Sequence, residues 1–489
     1  MNDSKLVKYI AELGQRDRER LRQLVHSPFF NQHKPTMDLL ELILKSIAKG
    51  DGPLNREKVY QKLFPKSDFE EQKLHNVMSN LKKLFHRFLA IDYVEKQPLL
   101  EDLYTLEATF ERNQFELMNN RAKLLEKHLA EQKFEDYFFH FAQYRLNNNL
   151  GYYGGHYVDR TKSETMQAML DHFDRSYLIE KLRNCCHLTA NSMQVNTHYD
   201  FGLLNPLLEY IQRTYIDVTE QKQDWTIRLY WSILQTMREE SNDAHYQELK
   251  KMLNESFEYF SPIGQQDLYG FASNYCIRRT MMGDEEYKRE LFDLYKRGLE
   301  TGVLLNNGLI TEFNYKNIAT LGGNLREFDW TERFLQEYKA LLPASKRENV
   351  YNYNLAYLFY NKKQYHQVLS SLLHVQFTDV MYYLNSNFLM LRTYYALKDT
   401  ETLLSLIETF RIFVMRNKKM SPTQRKEYTN FLRFAKKLVE LKHHSGTYTR
   451  TALEEKLKAL RSKIESTDSV INRSWLLEEA VVPVSPFAR

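Results

Sequence analysis

Residues 315–343 read YKNIATLGGNLREFDWTERFLQEYKALLP, and residues 352–375 read NYNLAYLFYNKKQYHQVLSSLLHV. A third stretch, 390–410, reads MLRTYYALKDTETLLSLIETF. The three align on one another. The first places Tyr315, Ile318, Ala319, Phe328, Leu335, Tyr338 and Pro343 at set offsets. The second does the same with Asn352, Leu355, Ala356, Phe359, Tyr365, Val368, Leu372 and Val375, and the third with Met390, Leu391, Tyr394, Leu403, Ile407 and Phe410. The windows are displaced by 37 and then 35 residues. Self-similarity at such a period marks supersecondary units that cannot bury their apolar faces alone and stack to do so. Inside each unit, two helical runs flank a short polar turn, NKKQ at 361–364 and LKD at 397–399. Small residues are needed where the second helix crosses the first, and Ala319 and Ala356 are placed to serve that contact.

Working outward, the helical period recurs along the chain. Leu74, Val77, Met78, Leu81, Leu84, Phe85, Phe88 and Leu89 form one continuous stripe, and Tyr428, Phe431, Leu432, Ala435, Leu438 and Val439 form another. Capping-box spacing predicts helix starts at Ser67 with Glu70, Thr161 with Glu164, and Ser421 with Gln424. Only 16 glycines and 11 prolines occur in 489 residues, too few for a turn-rich β architecture. The expected fold is therefore all-α. Four segments follow from the breaks: 1–95, an N-terminal helical domain; 96–260, an array of long helices; 261–420, the repeats; and 421–489, basic capping helices. The stretch NNNLGYYGGHYVDR, 147–160, is expected as a loop.

This pattern resembles the tetratricopeptide family, most clearly over 310–417, with MMGDEEY at 281–287 similar to that family's mid-repeat turn. The resemblance implies a right-handed α–α superhelix of stacked helical hairpins whose first helices line the concave face. Carried over residue by residue, it implies a peptide groove at Lys316, Asn317, Tyr353, Asn354, Tyr357 and Arg392. Amides there suit backbone hydrogen bonds of an extended peptide, and the cations suit carboxylates. The chain departs from the family at its Trp and Gly positions, and its terminal Pro survives only as Pro343. The ends, Ser27–Asn31 and Trp475–Glu478, are similar to bacterial proteins of unassigned function.

Charge adds a second surface. Between Arg411 and Lys463 lie fifteen Lys/Arg against four acids, a local net of +11 that leaves the remainder of the chain at −6. The patch residues are Arg416, Lys418, Lys419, Lys426, Arg433, Lys436, Lys437 and Lys442, suited to attracting phosphates or acidic proteins. A third candidate is N-terminal. A short helix at Arg56–Leu63, the turn FPKS and a long helix at Asp68–Ala90 have a helix-turn-helix look, with His75, Asn76, Ser79, Asn80, Lys83 and Arg87 off the apolar stripe. The arrangement is similar to bacterial activators that join a winged helix to a tetratricopeptide-like domain, but no glycine hairpin follows to build a wing.

No motif for catalysis, phosphate binding or metal binding is present. GxxxxGK[ST], GxGxxG, HExxH and GxSxG are all missing from the sequence. His443 and His444 diverge on a helix, and Cys185–Cys186–His187 reads as a buried structural cluster. No metal and no cofactor is expected. The three cysteines cannot pair off, and no secretory leader or 18-residue apolar run is present, so a cytoplasmic location is expected. The expected function is a non-enzymatic scaffold holding a protein or peptide; the alternative is a nucleic-acid-binding regulator using the N-terminal helices or the basic patch.

Overall fold

The structure is a computed structural model. It describes residues 4–50, 54–153, 163–195, 197–217, 224–239, 242–376, 380–417, 420–443 and 445–481. Among these residues lie 23 α-helices and a single pair of two-residue strands, so the chain is all-α. The strands, Leu305–Asn306 and Leu309–Ile310, pair antiparallel around Asn307–Gly308. Both turn residues have positive φ, 50° and 77°. That is the conformation a two-residue hairpin turn demands, and Asn-Gly adopts it most readily. No helix among the described residues is long and apolar enough to cross a membrane.

The helical pairs are closed by one recurring turn. Arg326, Lys363 and Lys398 have φ of 61°, 59° and 61°. The amide of each bonds back to the carbonyl three residues earlier: Gly323 at 3.2 Å, Tyr360 at 2.9 Å and Tyr395 at 3.1 Å. The next amide reaches five residues back, Glu327 to Gly322 at 2.9 Å, Gln364 to Phe359 at 2.9 Å and Asp399 to Tyr394 at 3.1 Å. These crossed bonds satisfy the orphan carbonyls at a helix end and turn the chain back at once. The left-handed residues are spaced by the same 37 and 35 residues as the sequence windows. Gly283, within MMGDEEY, makes the same turn with φ of 106°, and so does Asn113 with φ of 58°.

The tightest crossings lie one turn beyond Ala319, and none of them is at Ala356. Ala319 and Ala356 are fully buried. A Cβ on Gly322, however, would meet Thr331 Oγ1 at 2.2 Å, and one on Gly323 would meet Asn361 Nδ2 at 2.5 Å. Only glycine admits both neighbours at that spacing.

The capping expectations divide. Ser421 and Gln424 form the reciprocal box, both bonds 3.1 Å. Ser67 and Glu70 do not. The long helix runs Glu71–Glu95 with Glu70 as N-cap and no side-chain cap, while Ser67 closes the preceding turn, its amide bonded to Phe64 O at 3.2 Å. Thr161 lies outside the described residues. The expected loop is helical as far as it is described: helix Tyr137–Asn148 continues into a π-turn, Asn149–Tyr153. Residues 154–160 lie outside the described set. Of the stripe on Glu71–Glu95, Leu89 alone is substantially exposed, at 42%.

The backbone divides into two compact units. One comprises Met1–Trp231 with Tyr259–Ser261; the other comprises Ser232–Glu258 with Pro262–Arg489. In the first, the helices of segment 1–95 share a core around Ile10, Leu21, Leu39, Tyr60 and Leu81. The next three helices, up to Asn148, pack around Leu103, Leu106, Leu125 and Ala142. Cys186 is buried and its thiol donates to Tyr230 O at 3.3 Å. In the second unit, one apolar cluster runs from Leu384 through Phe431 to Trp475 and Leu476, so the C-terminal helices share the core of the last repeat.

A polar knot ties helices Asp243–Lys251, Pro262–Met281 and Glu286–Glu300. Tyr275 and Tyr287 donate to Asp243 Oδ1 at 2.8 and 2.7 Å, and the Tyr246 ring stacks on Tyr275 at 4.3 Å. Burial pushes the Asp243 carboxyl up, but bonds from Tyr287, Gln247 and Tyr275, with Arg279 nearby, outweigh it and hold the group below its usual range. Burial pushes the Cys276 thiol up to about 11.

Two predictions follow from these contacts. Lys363→Gly or Lys398→Gly should raise the unfolding free energy by roughly 0.5–1 kcal/mol, because the side chain at left-handed φ costs about 1–2 kcal/mol and glycine's extra unfolded-state entropy offsets part of that; Lys363→Val should lower it. Urea titration measures both. Asp243→Asn should cost about 1–2 kcal/mol at pH 7. Because the folded group is held low, its contribution is complete above the unfolded value near 4 and is lost as pH falls through the folded value. The gap between variant and parent should therefore narrow below about pH 4.

Candidate functional site

Within the second unit, the first helices of successive pairs, Glu312–Asn324, Arg347–Asn361 and Val380–Leu397, pack in chain order. They carry the six groove candidates, which divide by burial. Lys316 is exposed. Asn317 is half-buried and hydrogen-bonds to Tyr295, whose hydroxyl burial pushes up to about 12. Asn354 is 2% exposed and its amide donates to Val350 O at 2.7 Å. Asn354 is thus buried, with its amide nitrogen engaged inside its own helix, whereas Lys316 stays open to solvent.

Tyr353, Tyr357 and Arg392 gather with Tyr360. The Arg392 guanidinium lies 4.7 Å over the Tyr360 ring and 5.7 Å from that of Phe388. Such cation–ring stacking fixes a long side chain in one place. Tyr357 OH donates to Asn324 Oδ1 at 3.4 Å, and Tyr353 meets Tyr382 edge-on at 6.2 Å. Burial raises the hydroxyls of Tyr353, Tyr357 and Tyr360, and the Arg392 charge pulls each back part of the way. The three tyrosines therefore stay neutral donors beside a fixed cation.

A carboxylate of the chain acts on Tyr360 from the C-terminal helices. Glu479, last residue of helix Arg473–Glu479, hydrogen-bonds to Tyr395, acts electrostatically on Tyr360 and draws Lys442 toward its charged form. The helix is held there by Trp475, whose ring meets Tyr395 at 5.3 Å and Phe431 at 6.0 Å.

The basic patch is in part what the sequence indicates. Arg416, Lys426, Arg433, Lys436 and Lys437 are exposed, with the Arg433 guanidinium over Phe434 at 4.7 Å. Lys442 differs. It is half-buried, burial lowers its pKa, and its ammonium donates to Val481 O at 2.7 Å. Lys418 and Lys419 lie outside the described residues. At the N-terminal candidate, His75, Asn76, Lys83 and Arg87 are exposed while Ser79 and Asn80 are half-buried. Arg87 stacks over Phe30 at 5.0 Å, so one cation of the proposed reading face is engaged with the SPFFN turn.

One constellation escaped the motif reading. In the first unit, Glu135, His140 and Asp224 bring one ligand atom each to within 4.8 Å of one another. Two of them are far apart in sequence from the third, and no spacing rule joins 135 and 140 to 224. Neither a protein-family model, nor a curated protein, nor a solved structure matches this chain.

Since Lys436 and Lys437 are exposed, changing both to Glu should leave the unfolding free energy within about 0.5 kcal/mol per site. Lys442→Met should lower it measurably through loss of the bond to Val481. Thermal unfolding followed by circular dichroism separates the two.

Proposed function

We propose that this chain is a non-enzymatic scaffold. In this reading the hairpins of the second unit stack as a right-handed, tetratricopeptide-like superhelix, and the surface around Tyr353, Tyr357, Tyr360 and Arg392 holds an extended acidic peptide. The observation that carries it is Glu479. Glu479, in the chain's own last described helix, hydrogen-bonds to the Tyr395 hydroxyl, acts electrostatically on Tyr360 and draws Lys442 toward its charged form, so this side of the stack already receives a carboxylate. Neutral hydroxyl donors and a stacked guanidinium are a recognition chemistry for carboxylates set among apolar side chains. The recurring left-handed turns at 37 and 35 residues support the repeat architecture. Three buried free cysteines suit a reducing compartment such as the cytoplasm. Nucleic-acid binding through the exposed cations of helix Pro422–His443 is the competing outcome, separated by its salt dependence.

The test uses a fluorescent decapeptide of alternating Glu and Leu, titrated against the full chain and followed by anisotropy. A Tyr357→Phe, Arg392→Met double variant should weaken binding by about tenfold or more, as loss of a charge-assisted contact does. Equal affinity for both proteins would contradict the surface assignment, and tight binding of a Lys/Leu decapeptide would contradict its charge preference.

A further inference from the structure

We infer that Glu135, His140 and Asp224 form a binding site for a divalent first-row transition metal, of which zinc is the probe. Nothing in the scaffold reading uses this cluster. Glu135 and His140 flank the start of helix Tyr137–Asn148, where Asp136 caps the amides of Phe138 and Phe139 at 3.0 and 3.1 Å. Asp224 immediately precedes helix Trp225–Arg238. Thr226 Oγ1 donates to Glu135 O at 3.0 Å, so the two helix starts are tied together before any ligand arrives.

His140 is the pivotal group. It is 2% exposed yet lines a cavity of about 270 Å³ together with Glu135, Asp224, Trp225 and Tyr259. Its Nδ1 lies 2.9 Å from Nδ1 of His172. Two ring nitrogens at that distance cannot both carry hydrogen, so one donates and the other accepts. With His140 as donor, Nε2 is the ring nitrogen without hydrogen, and His172 holds the ring in the orientation that ligating histidines receive from an outer partner. The indole of Trp225 stacks on Tyr259 at 5.5 Å and 5°, a flat apolar wall beside the polar cluster.

The charges are compatible with a cation. Arg175 Nε lies 3.5 Å from Asp224 Oδ1, and the Lys133 ammonium rests 5.5 Å over Phe134. A carboxylate has two oxygens and about four lone-pair sites, so Asp224 can keep Arg175 and still ligate. Ligand atoms around zinc sit about 2.0–2.2 Å from the ion, hence roughly 3–3.5 Å apart, and those of this cluster lie within 4.8 Å of one another. One imidazole with two carboxylates selects zinc, manganese or iron over magnesium and calcium, whose preferred donors are all oxygen.

Zinc chloride is titrated by calorimetry into the full chain after chelator stripping. One ion per chain is expected. Glu135→Gln and Asp224→Asn, each folded by circular dichroism, should raise Kd by about tenfold or more. His245→Ala, in the exposed Glu239–His245 pair, should leave it unchanged. Cobalt(II) should develop a visible absorption band in the parent that the two variants lose. Absence of stoichiometric binding, binding that the variants leave unaltered, or equal affinity for magnesium would each overturn the proposal.

Discussion

A helix that ends in water leaves four carbonyls without partners, and how the chain satisfies them decides where it goes next. In the second unit the solution is the same four times: a residue at left-handed φ, with two crossed amide bonds running back into the last turn. This closes the helix and reverses the chain within a few residues. The apolar stripe of the second helix then faces the first, and burial of residues such as Tyr315, Phe334, Leu358 and Val368 follows. Remove the reversal and these stripes have no partner at hand. The glycines at 322 and 323 depend on it too, since the crossings they allow exist only between helices already brought side by side.

The fold class was legible because periodicity and spacing are local signals. The 37- and 35-residue offsets in sequence are the offsets between left-handed turns in structure. What the sequence hid were cases where two local rules competed. Ser67 and Glu70 have the spacing of a capping box, but the amide of Ser67 closes a turn onto Phe64 O and the helix begins only after Glu70. Three glycines after Asn149 suggested a loop, yet the helix runs on as a π-turn through Tyr153. Ala319 looked like the crossing point because it is small, whereas the closest approach belongs to residues with no side chain at all. The Asn-Gly strand pair at 305–310 carried a readable turn signal that the helical pattern around it overshadowed.

The functional surfaces were less legible, for a physical reason. Whether a polar residue on a helix faces solvent or a neighbour depends on packing between elements, which one sequence does not reveal. Asn354 and Lys442 have the right chemistry for a groove and a patch, but one bonds within its own helix and the other to Val481 O. Arg392 gains its fixed place from Tyr360 and Phe388, one of them in a different hairpin. The Glu135–His140–Asp224 cluster is the extreme case: its members come from two helix starts distant in sequence, which a Thr226–Glu135 bond joins.

The central claim is that the surface around Tyr357 meets a protein. A photo-crosslinking phenylalanine at position 357 tests it most directly, introduced in the source cell and compared with the same group at the exposed Tyr104. The account predicts a discrete protein adduct from position 357, resistant to nuclease, competed by the acidic decapeptide and missing from position 104. An adduct that nuclease destroys, or the same products from both positions, would contradict it.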